Sequence, residues 1–180
     1  MLRKLLALFL FASSADCLLH AQAKPAAERS AQVQLGAGVS FVLPDYNPGT
    51  IEGYSVYGNY DFTAHFGIEG AIHGATLITP TDIAESSYLL GPRYVFHRKR
   101  LHPYGKVLFG LGVFTFEPVP GNPTARTSTH RMYALGGGLD FTYKRHVNIR
   151  VIDLEYQRWP GFGAGGLTPI AITVGAAYSF

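Results

Sequence analysis

Side-chain character alternates with a period of two residues along almost the whole chain after residue 30. In the last such stretch, alternate positions carry Ile170, Ile172, Val174, Ala176, Tyr178 and Phe180, with Ala, Thr, Gly and Ser between them. Alternation of this kind places the two sets on opposite faces of a β-strand. It recurs in eight segments, which are about 31–43, 53–62, 65–76, 86–97, 103–116, 130–143, 147–158 and 169–180.

The connections between the predicted strands alternate in length. Those after strands one, three, five and seven are long, at about 44–52, 77–85, 117–129 and 159–166, and are rich in Pro, Gly, Asn and Thr. Those after strands two, four and six span only Thr63–Ala64, Arg98–Leu101 and Lys144–His146. This pattern predicts an antiparallel up-and-down meander, and eight such strands can close into a barrel that leaves no unpaired edge.

Two irregularities are expected within the strands. Pro92 cannot donate a hydrogen bond to the ladder, so a bulge is predicted there. In strand seven the apolar phase shifts by one residue, because Ile149 and Val151 share one parity and Ile152 and Leu154 share the other. One extra residue near Val151, a β-bulge, would restore a continuous face.

The two faces of the predicted sheet differ mainly in side-chain size. One carries Tyr, Phe, Val, Ile and Leu, and the other carries mostly Gly, Ala, Ser and Thr with a few charges. Charged residues make up 15% of the chain, below the roughly 25% usual in soluble domains. The small face could not coat a soluble, lipocalin-like barrel, but it suits the narrow interior of an eight-stranded barrel. The sequence therefore predicts a transmembrane β-barrel with the large apolar set facing lipid and aromatic girdles near the strand ends.

Six charged residues fall on the predicted inner face. They are Asp61, Glu69, Arg93, Lys106, Asp140 and Glu155. Because isolated buried ions are costly, these groups are expected to pair. We interpret them as a network that fills the lumen, and a gate for a narrow conductance is the alternative interpretation.

The first residues are typical of an export signal. Arg3 and Lys4 precede the apolar run Leu5–Ala12, and Ala21-Gln22-Ala23 fits the small-x-small cleavage rule. The sequence therefore predicts a cleaved signal peptide over residues 1–23, a periplasmic tail over 24–30 and a barrel domain over 31–180.

Cleavage after Ala23 would also remove the single cysteine, Cys17. The mature chain would then have no disulfide, thiolate metal site or cysteine nucleophile. The formal net charge is +3, and loss of Arg3, Lys4 and Asp16 leaves +2. That balance is too mild to indicate a nucleic-acid partner.

Three stretches carry a resemblance to a known family: "HPYGKVLFGLGVF", "YALGGGLDFTYKRHVNIRVIDLEYQRW" and the closing "ITVGAAYSF". They resemble the small eight-stranded outer-membrane β-barrel family, the OmpA-type transmembrane domain. The resemblance implies a bacterial outer-membrane location, contact with outer-membrane lipids and insertion by the barrel-assembly machinery. The assembly signal of the family would map onto Ile172, Val174, Ala176, Tyr178 and Phe180. Members that hold the cell wall carry a further domain after the barrel, so that role is not expected here.

Some family barrels are lipid A deacylases or palmitoyltransferases, so the resemblance also implies an enzyme as an alternative. Ser128 and His130, with Glu117 across the same connection, come nearest to a Ser–His–acid arrangement. The His-x-Ser order of the deacylases is absent, and we predict no catalytic residue.

No metal site or cofactor is predicted either, because no two histidines have the i,i+2 spacing that places ligands side by side on a strand. The six considered are His65, His73, His97, His102, His130 and His146.

Five basic residues occupy two of the predicted periplasmic turns. They are Arg98, Lys99, Arg100, Lys144 and Arg145. Hydrated turns are the favoured interpretation, and contact with anionic headgroups or a periplasmic partner is the alternative.

The sequence as a whole favours a non-enzymatic, structural or surface-interaction barrel with a packed lumen. A narrow, porin-like pore for small solutes and a lipid A-modifying enzyme are the alternatives. Segments Asp45–Ile51 and Glu117–Thr129 would offer a surface for an extracellular ligand whose nature the sequence does not indicate.

Overall fold

A computed structural model describes residues 32–45, 49–75, 83–116, 126–163 and 165–180. The strands are β1 (Gln32–Leu43), β2 (Ile51–Asp61), β3 (Phe66–Ala75), β4 (Ile83–Val95), β5 (Leu101–Phe116), β6 (Arg126–Lys144), β7 (Val147–Arg158) and β8 (Ile170–Ser179). Each strand pairs antiparallel with its neighbour in sequence, and β8 pairs with β1 to close the barrel. The predicted eight-stranded up-and-down barrel is confirmed, and the largest difference in bounds is the start of β6 at Arg126 instead of residue 130.

Several predicted features lie outside the described residues. They include the leader over 1–23, the tail over 24–30 and Glu117. Nowhere in the described ranges is there a helix of the length and apolarity needed to cross a membrane.

The large apolar residues face outward, as the alternation predicts. Phe109 is 59% exposed and Val174 is 46% exposed, whereas Glu69 is fully buried and Arg93 is 3% exposed. Outward side chains of β1 and β8 lie opposite one another across the closing seam, as in the pair Val39 and Val174. An apolar outer surface and a polar interior are typical of a β-barrel that spans a lipid bilayer.

The predicted bulge near Val151 is confirmed. Across β6 and β7, Leu139 pairs with Ile152 and Asp140 pairs with Arg150, so Val151 is the extra residue. Val151 and Ile152 are therefore both outward-facing, at 44% and 39% exposure. The extra residue keeps the charged side chains before and after it on the inner face.

The predicted bulge at Pro92 is wrong. Leu90 pairs with Phe109 and Arg93 with Lys106, which is one continuous register, and Ile68 pairs with Pro92 on the other side. The ladder to β5 is interrupted at Pro92 without an inserted residue. Pro92, which has no N–H, therefore lacks a partner on β5 but keeps its pairing with Ile68 on β3.

Substituting arginine for Val174 tests the face assignment. Val174 lies in the interior of β8 on the lipid side, so Val174→Arg should cost about 2–4 kcal/mol of unfolding free energy, the range for arginine at the bilayer midplane. Urea unfolding in phospholipid vesicles measures this. Tyr178→Arg, near the strand end, is the matched control and should cost about 0–1 kcal/mol.

Thr173→Arg probes the opposite face at the neighbouring position. Thr173 is 2% exposed and its hydroxyl donates to Ser40 Oγ at 3.2 Å, so arginine there should clash within the filled lumen. Equal tolerance of Thr173→Arg and Val174→Arg would contradict the assignment.

Candidate functional site

The middle of the lumen is built around Lys106, whose side chain is fully buried. Its ammonium donates to Glu69 Oε1 at 2.6 Å, to Asp153 Oδ2 at 2.6 Å and to Glu155 Oε1 at 2.7 Å. These groups lie on β3, β5 and β7, so the contact joins three strands across the interior. Charge-assisted hydrogen bonds of this length are among the strongest in proteins.

Arg150 forms a second centre beside Lys106. Its guanidinium donates to Glu69 Oε2 at 2.9 Å and Oε1 at 3.2 Å, to Asp153 Oδ2 at 3.0 Å and to Asp140 Oδ1 at 3.3 Å. The guanidinium carbon also lies 3.6 Å from the centroid of the Tyr57 ring. The planar group therefore has carboxylates at its edges and an aromatic face above it, which suits a delocalised cation.

Arg93 extends the network toward the end of the barrel that carries the short turns. It donates to Asp140 Oδ2 at 2.6 Å, and it lies 3.5 Å from Glu69 and 3.9 Å from Asp61. With its amide nitrogen toward Glu69 Oε2 (2.8 Å), Asn59 accepts from Arg93 Nη1 at 3.2 Å. Arg93 also stacks 4.2 Å from the centroid of the Tyr104 ring.

All six charged residues that the sequence placed on the inner face meet in this network. Sequence reasoning missed Arg150 and Asp153, which flank the bulge in β7, and it also missed His73, whose Nε2 lies 3.3 Å from Glu155 Oε2. The sequence alternation could have identified Arg150 and Asp153. Arg150 follows the outward-facing Ile149 before the bulge, and Asp153 precedes the outward-facing Leu154 after it, so both positions belong to the inner face.

Carboxylate oxygens of Glu69, Asp153 and Glu155 lie within 4.8 Å of one another, the only group in the described ranges with such metal-like spacing. The ammonium of Lys106 stands among them and contacts all three. The cluster is thus built to hold a lysine side chain, which supplies the positive charge that a divalent cation would bring.

An aromatic plug fills the lumen at the end with the long connections. Trp159 is fully buried, with its ring centroid 4.9 Å from that of Phe114, which lies 4.7 Å from Phe162. The Trp159 backbone N–H donates to Leu167 O at 2.9 Å, which folds the connection into the barrel. Gly112 leaves room for the indole, because a Cβ there would lie only 1.9 Å from ring carbons.

The predicted Ser128 and His130 pair is present at the same end. Ser128 Oγ and His130 Nε2 are 2.6 Å apart, and the His130 ring packs against Phe162 at 5.1 Å between centroids. Glu117 lies outside the described residues, and no carboxylate in the described ranges hydrogen-bonds to His130. The Ser128–His130 contact is therefore the part of the predicted arrangement that the described residues show.

Three of the histidines that are scattered in sequence meet at the end with the short turns. The ring centroids of His65 and His97 are 5.6 Å apart, and those of His97 and His102 are 4.9 Å apart. His65 Nδ1 also bonds to Val95 O at 2.9 Å, and His102 Nε2 lies 3.0 Å from Thr142 Oγ1. Partial burial, and to a smaller extent the neighbouring His65, lower the pKa of His97. The His97 side chain therefore adds little positive charge at neutral pH.

The two basic turns also lie side by side at this end. Arg98, Lys99, Arg100, Lys144 and Arg145 are all exposed. The Thr142 N–H donates to Arg100 O at 2.9 Å, and this hydrogen bond joins the turn after β4 to strand β6. We name these five residues the basic rim.

The predicted assembly-signal residues all lie on β8 or at its end, on the outer wall. Tyr178 is 49% exposed and Phe180 is 68% exposed, and their rings are 5.1 Å apart in an edge-to-face contact. The segment is therefore displayed on the lipid side beside the closing seam with β1. Its reading by the assembly machinery stays a prediction.

The model of the outer membrane protein β-barrel domain matches residues 5–180. The chain belongs to this family. A search of curated protein sequences finds no match. The family places the chain in the bacterial outer membrane, with the outward-facing residues in contact with lipid.

Solved structures of small outer-membrane barrels share the fold. Ail, the attachment invasion locus protein of Yersinia pestis, is 19% identical over 83% of this chain and 97% of its own, with a TM-score of 0.56. Neisserial surface protein A is 13% identical over 84% and 97%, with a TM-score of 0.57. OprG from Pseudomonas aeruginosa is 14% identical over 85% and 97%, with a TM-score of 0.56. Ail has also been solved in complex with the heparin analogue sucrose octasulfate, and that structure is 18% identical with a TM-score of 0.53.

Proposed function

We propose that this protein is a non-enzymatic outer-membrane barrel with a closed lumen, and that its long connections form an extracellular surface for a ligand. The observation that carries the proposal is the double filling of the interior. Lys106 and Arg150 bridge carboxylates across the middle, and Trp159 closes the end with the long connections. Outer-membrane barrels place short turns in the periplasm and longer loops outside, which supports this orientation.

A pore is the competing function, and conductance separates the two. A solute would have to displace Trp159 and then break the hydrogen bonds of Lys106 and Arg150. We therefore expect no steady channel when the protein is inserted in a planar lipid bilayer, with a general porin as the positive control. A large, stable single-channel current would contradict the closed-lumen proposal.

The contact between Ser128 and His130 is the observation that favours an enzyme. If the protein modifies lipid A, a strain that produces it should show a change in lipid A mass, and Ser128→Ala should abolish that change. We expect identical lipid A spectra with the native protein, with Ser128→Ala and with no protein. A mass shift that depends on Ser128 would overturn the non-enzymatic part of the proposal.

A surface-interaction role is supported by the position of the long connections at one end and by the fold shared with Ail. Since Ail has been solved with a heparin analogue, a sulfated polysaccharide is the first ligand class to test. Retention of the detergent-solubilised protein on immobilised heparin should exceed retention on uncharged dextran. Replacement of residues 117–125 with a short Gly-Ser linker should reduce retention if the extracellular surface is responsible, and an unchanged variant would place binding elsewhere.

A further inference from the structure

The network inside the lumen contains more carboxylates than cations. Its carboxylates are Asp61, Glu69, Asp140, Asp153 and Glu155, and its cations are Arg93, Lys106 and Arg150. Lys106 and Arg150 hydrogen-bond to every one of these carboxylates except Asp61, at 3.3 Å or less. A buried carboxylate without a compensating partner is costly. The place where compensation is weakest therefore indicates where a positively charged ligand would bind.

Asp61 is the carboxylate with the weakest compensation. It is the last residue of β2, and its ion pair among the described residues is with Arg93 Nη1 at 3.9 Å. The Arg93 guanidinium lies much closer to Asp140, at 2.6 Å. No described residue donates a hydrogen bond to the Asp61 carboxylate, and its Oδ1 is buried. The excess negative charge of the network is thus least satisfied at the end with the short turns.

A polar cavity of about 150 Å³ lies at this end of the lumen, and Asp61 is one of its lining residues. Gln34, His102 and Arg145 also line it. The volume corresponds to about five water molecules at roughly 30 Å³ each. It is below the range of pockets for drug-sized ligands, so the cavity suits a small polar group.

Two further hydrogen-bond acceptors at the cavity lack a donor. Gln34 is only 8% exposed, and its Oε1 has no partner among the described residues. When His102 donates its Nε2–H to Thr142 Oγ1, at 3.0 Å, its Nδ1 is an acceptor, and this atom is also buried without a partner. With Asp61 Oδ1, three acceptors on three strands await donors. A primary ammonium has three N–H donors and a positive charge, which matches this set.

The surroundings of the cavity restrict which cation fits. A metal ion is a poor match, because the group of carboxylates with metal-like spacing in the described ranges lies around Lys106 and not here. A ligand that is only a cation would be repelled by the basic rim, whose member Arg145 lines the cavity. Arg145 forms no ion pair with any described residue, so it is available to an anion. An anionic group next to the ammonium would turn the repulsion into attraction.

We propose that this cavity binds a small zwitterion that carries a primary ammonium and an anionic group. The ammonium lies among Asp61, Gln34 and His102, and the anionic group lies at the basic rim beside Arg145. The cavity is inside the barrel wall and acyl chains are outside it, so the ligand is a free solute and not a lipid headgroup. The orientation proposed above places the site in the periplasm, but binding to the purified protein does not depend on that orientation.

Isothermal titration calorimetry of the full chain, folded in a non-ionic detergent, tests the site. The probes are O-phosphoethanolamine, phosphocholine, ethanolamine and inorganic phosphate. Phosphocholine has the same two charged groups but no N–H donor on its nitrogen, and each of the last two has only one of the groups. We expect O-phosphoethanolamine to bind with a Kd about tenfold lower than any of the others, since each of them loses a charge-assisted contact. Equal binding of phosphocholine, or no binding of any probe, would overturn the proposal.

Substitutions locate the binding site on the barrel. Asp61→Asn removes the charge at nearly constant size, and it should weaken binding of O-phosphoethanolamine about tenfold. Gln34→Met removes an acceptor and Arg145→Ser removes the contact for the anion, so each should also weaken binding. Arg131→Ser is the matched control, because Arg131 is an exposed cation of β6 that does not line the cavity. Gel migration before and after boiling shows that each variant is folded. Full affinity in Asp61→Asn and Gln34→Met, or an equal loss in Arg131→Ser, would contradict the proposed site.

Discussion

Lys106→Met should destabilise the barrel by about 3–5 kcal/mol, the range for removing one partner from a buried ion pair. Methionine nearly matches the length of the lysine chain but leaves Glu69, Asp153 and Glu155 without the ammonium that contacts all three. Arg150 still contacts two of these carboxylates, whereas among the described residues Glu155 keeps only His73 and Gln157. Equilibrium urea unfolding in phospholipid vesicles gives the loss in free energy.

A second substitution tests whether the loss arises from the uncompensated charge. Glu155→Gln in the Lys106→Met background removes the carboxylate left with the weakest support, so the double variant should recover part of the lost stability. The coupling energy between the two sites should be clearly different from zero, since the residues are in direct contact. Additive losses would contradict the ion-pair explanation and would attribute the effect of Lys106→Met to packing.

The fold could be predicted because each of its determinants is local in sequence. Period-two alternation fixes which residues face lipid, and the connections, such as Thr63–Ala64, fix which strands are neighbours. The bulge near Val151 could also be predicted, because an inserted residue moves the apolar residues that follow it from odd to even positions in the sequence. The prediction at Pro92 is wrong because a missing donor predicts a lost hydrogen bond but does not determine whether a residue is inserted.

The sequence predicts which charged residues lie inside the lumen, but not which of them contact one another. The sequence shows that Glu69 and Lys106 point inward, but the partner of each depends on strand stagger around the closed barrel. Arg150 reaches Glu69 although 81 positions separate them in sequence. Trp159 was assigned to a connection because it follows the last periodic position of β7, and nothing in the periodicity indicates that a connection folds into the barrel.

Trp159→Ala should cost about 3–5 kcal/mol, the usual range for truncating a buried tryptophan to alanine. The indole contacts Phe114 and lies against Gly112, and its loss leaves a cavity that neither neighbour can fill without moving. The same variant should still show no steady conductance, because Lys106 and Arg150 close the lumen at a second level. Urea unfolding in vesicles and planar-bilayer recording measure the two effects.

Gly112→Ala provides the matched test of this packing. In the native protein a Cβ at position 112 would lie 1.9 Å from the indole carbons, so the substitution should destabilise the barrel by displacing the ring. With Trp159→Ala the space is free, and the added methyl group should restore part of the lost packing. The two substitutions must therefore be less harmful together than the sum of their separate losses. If the losses simply add, the indole does not occupy the space above Gly112, and the plug that closes this end of the lumen is not formed by Trp159.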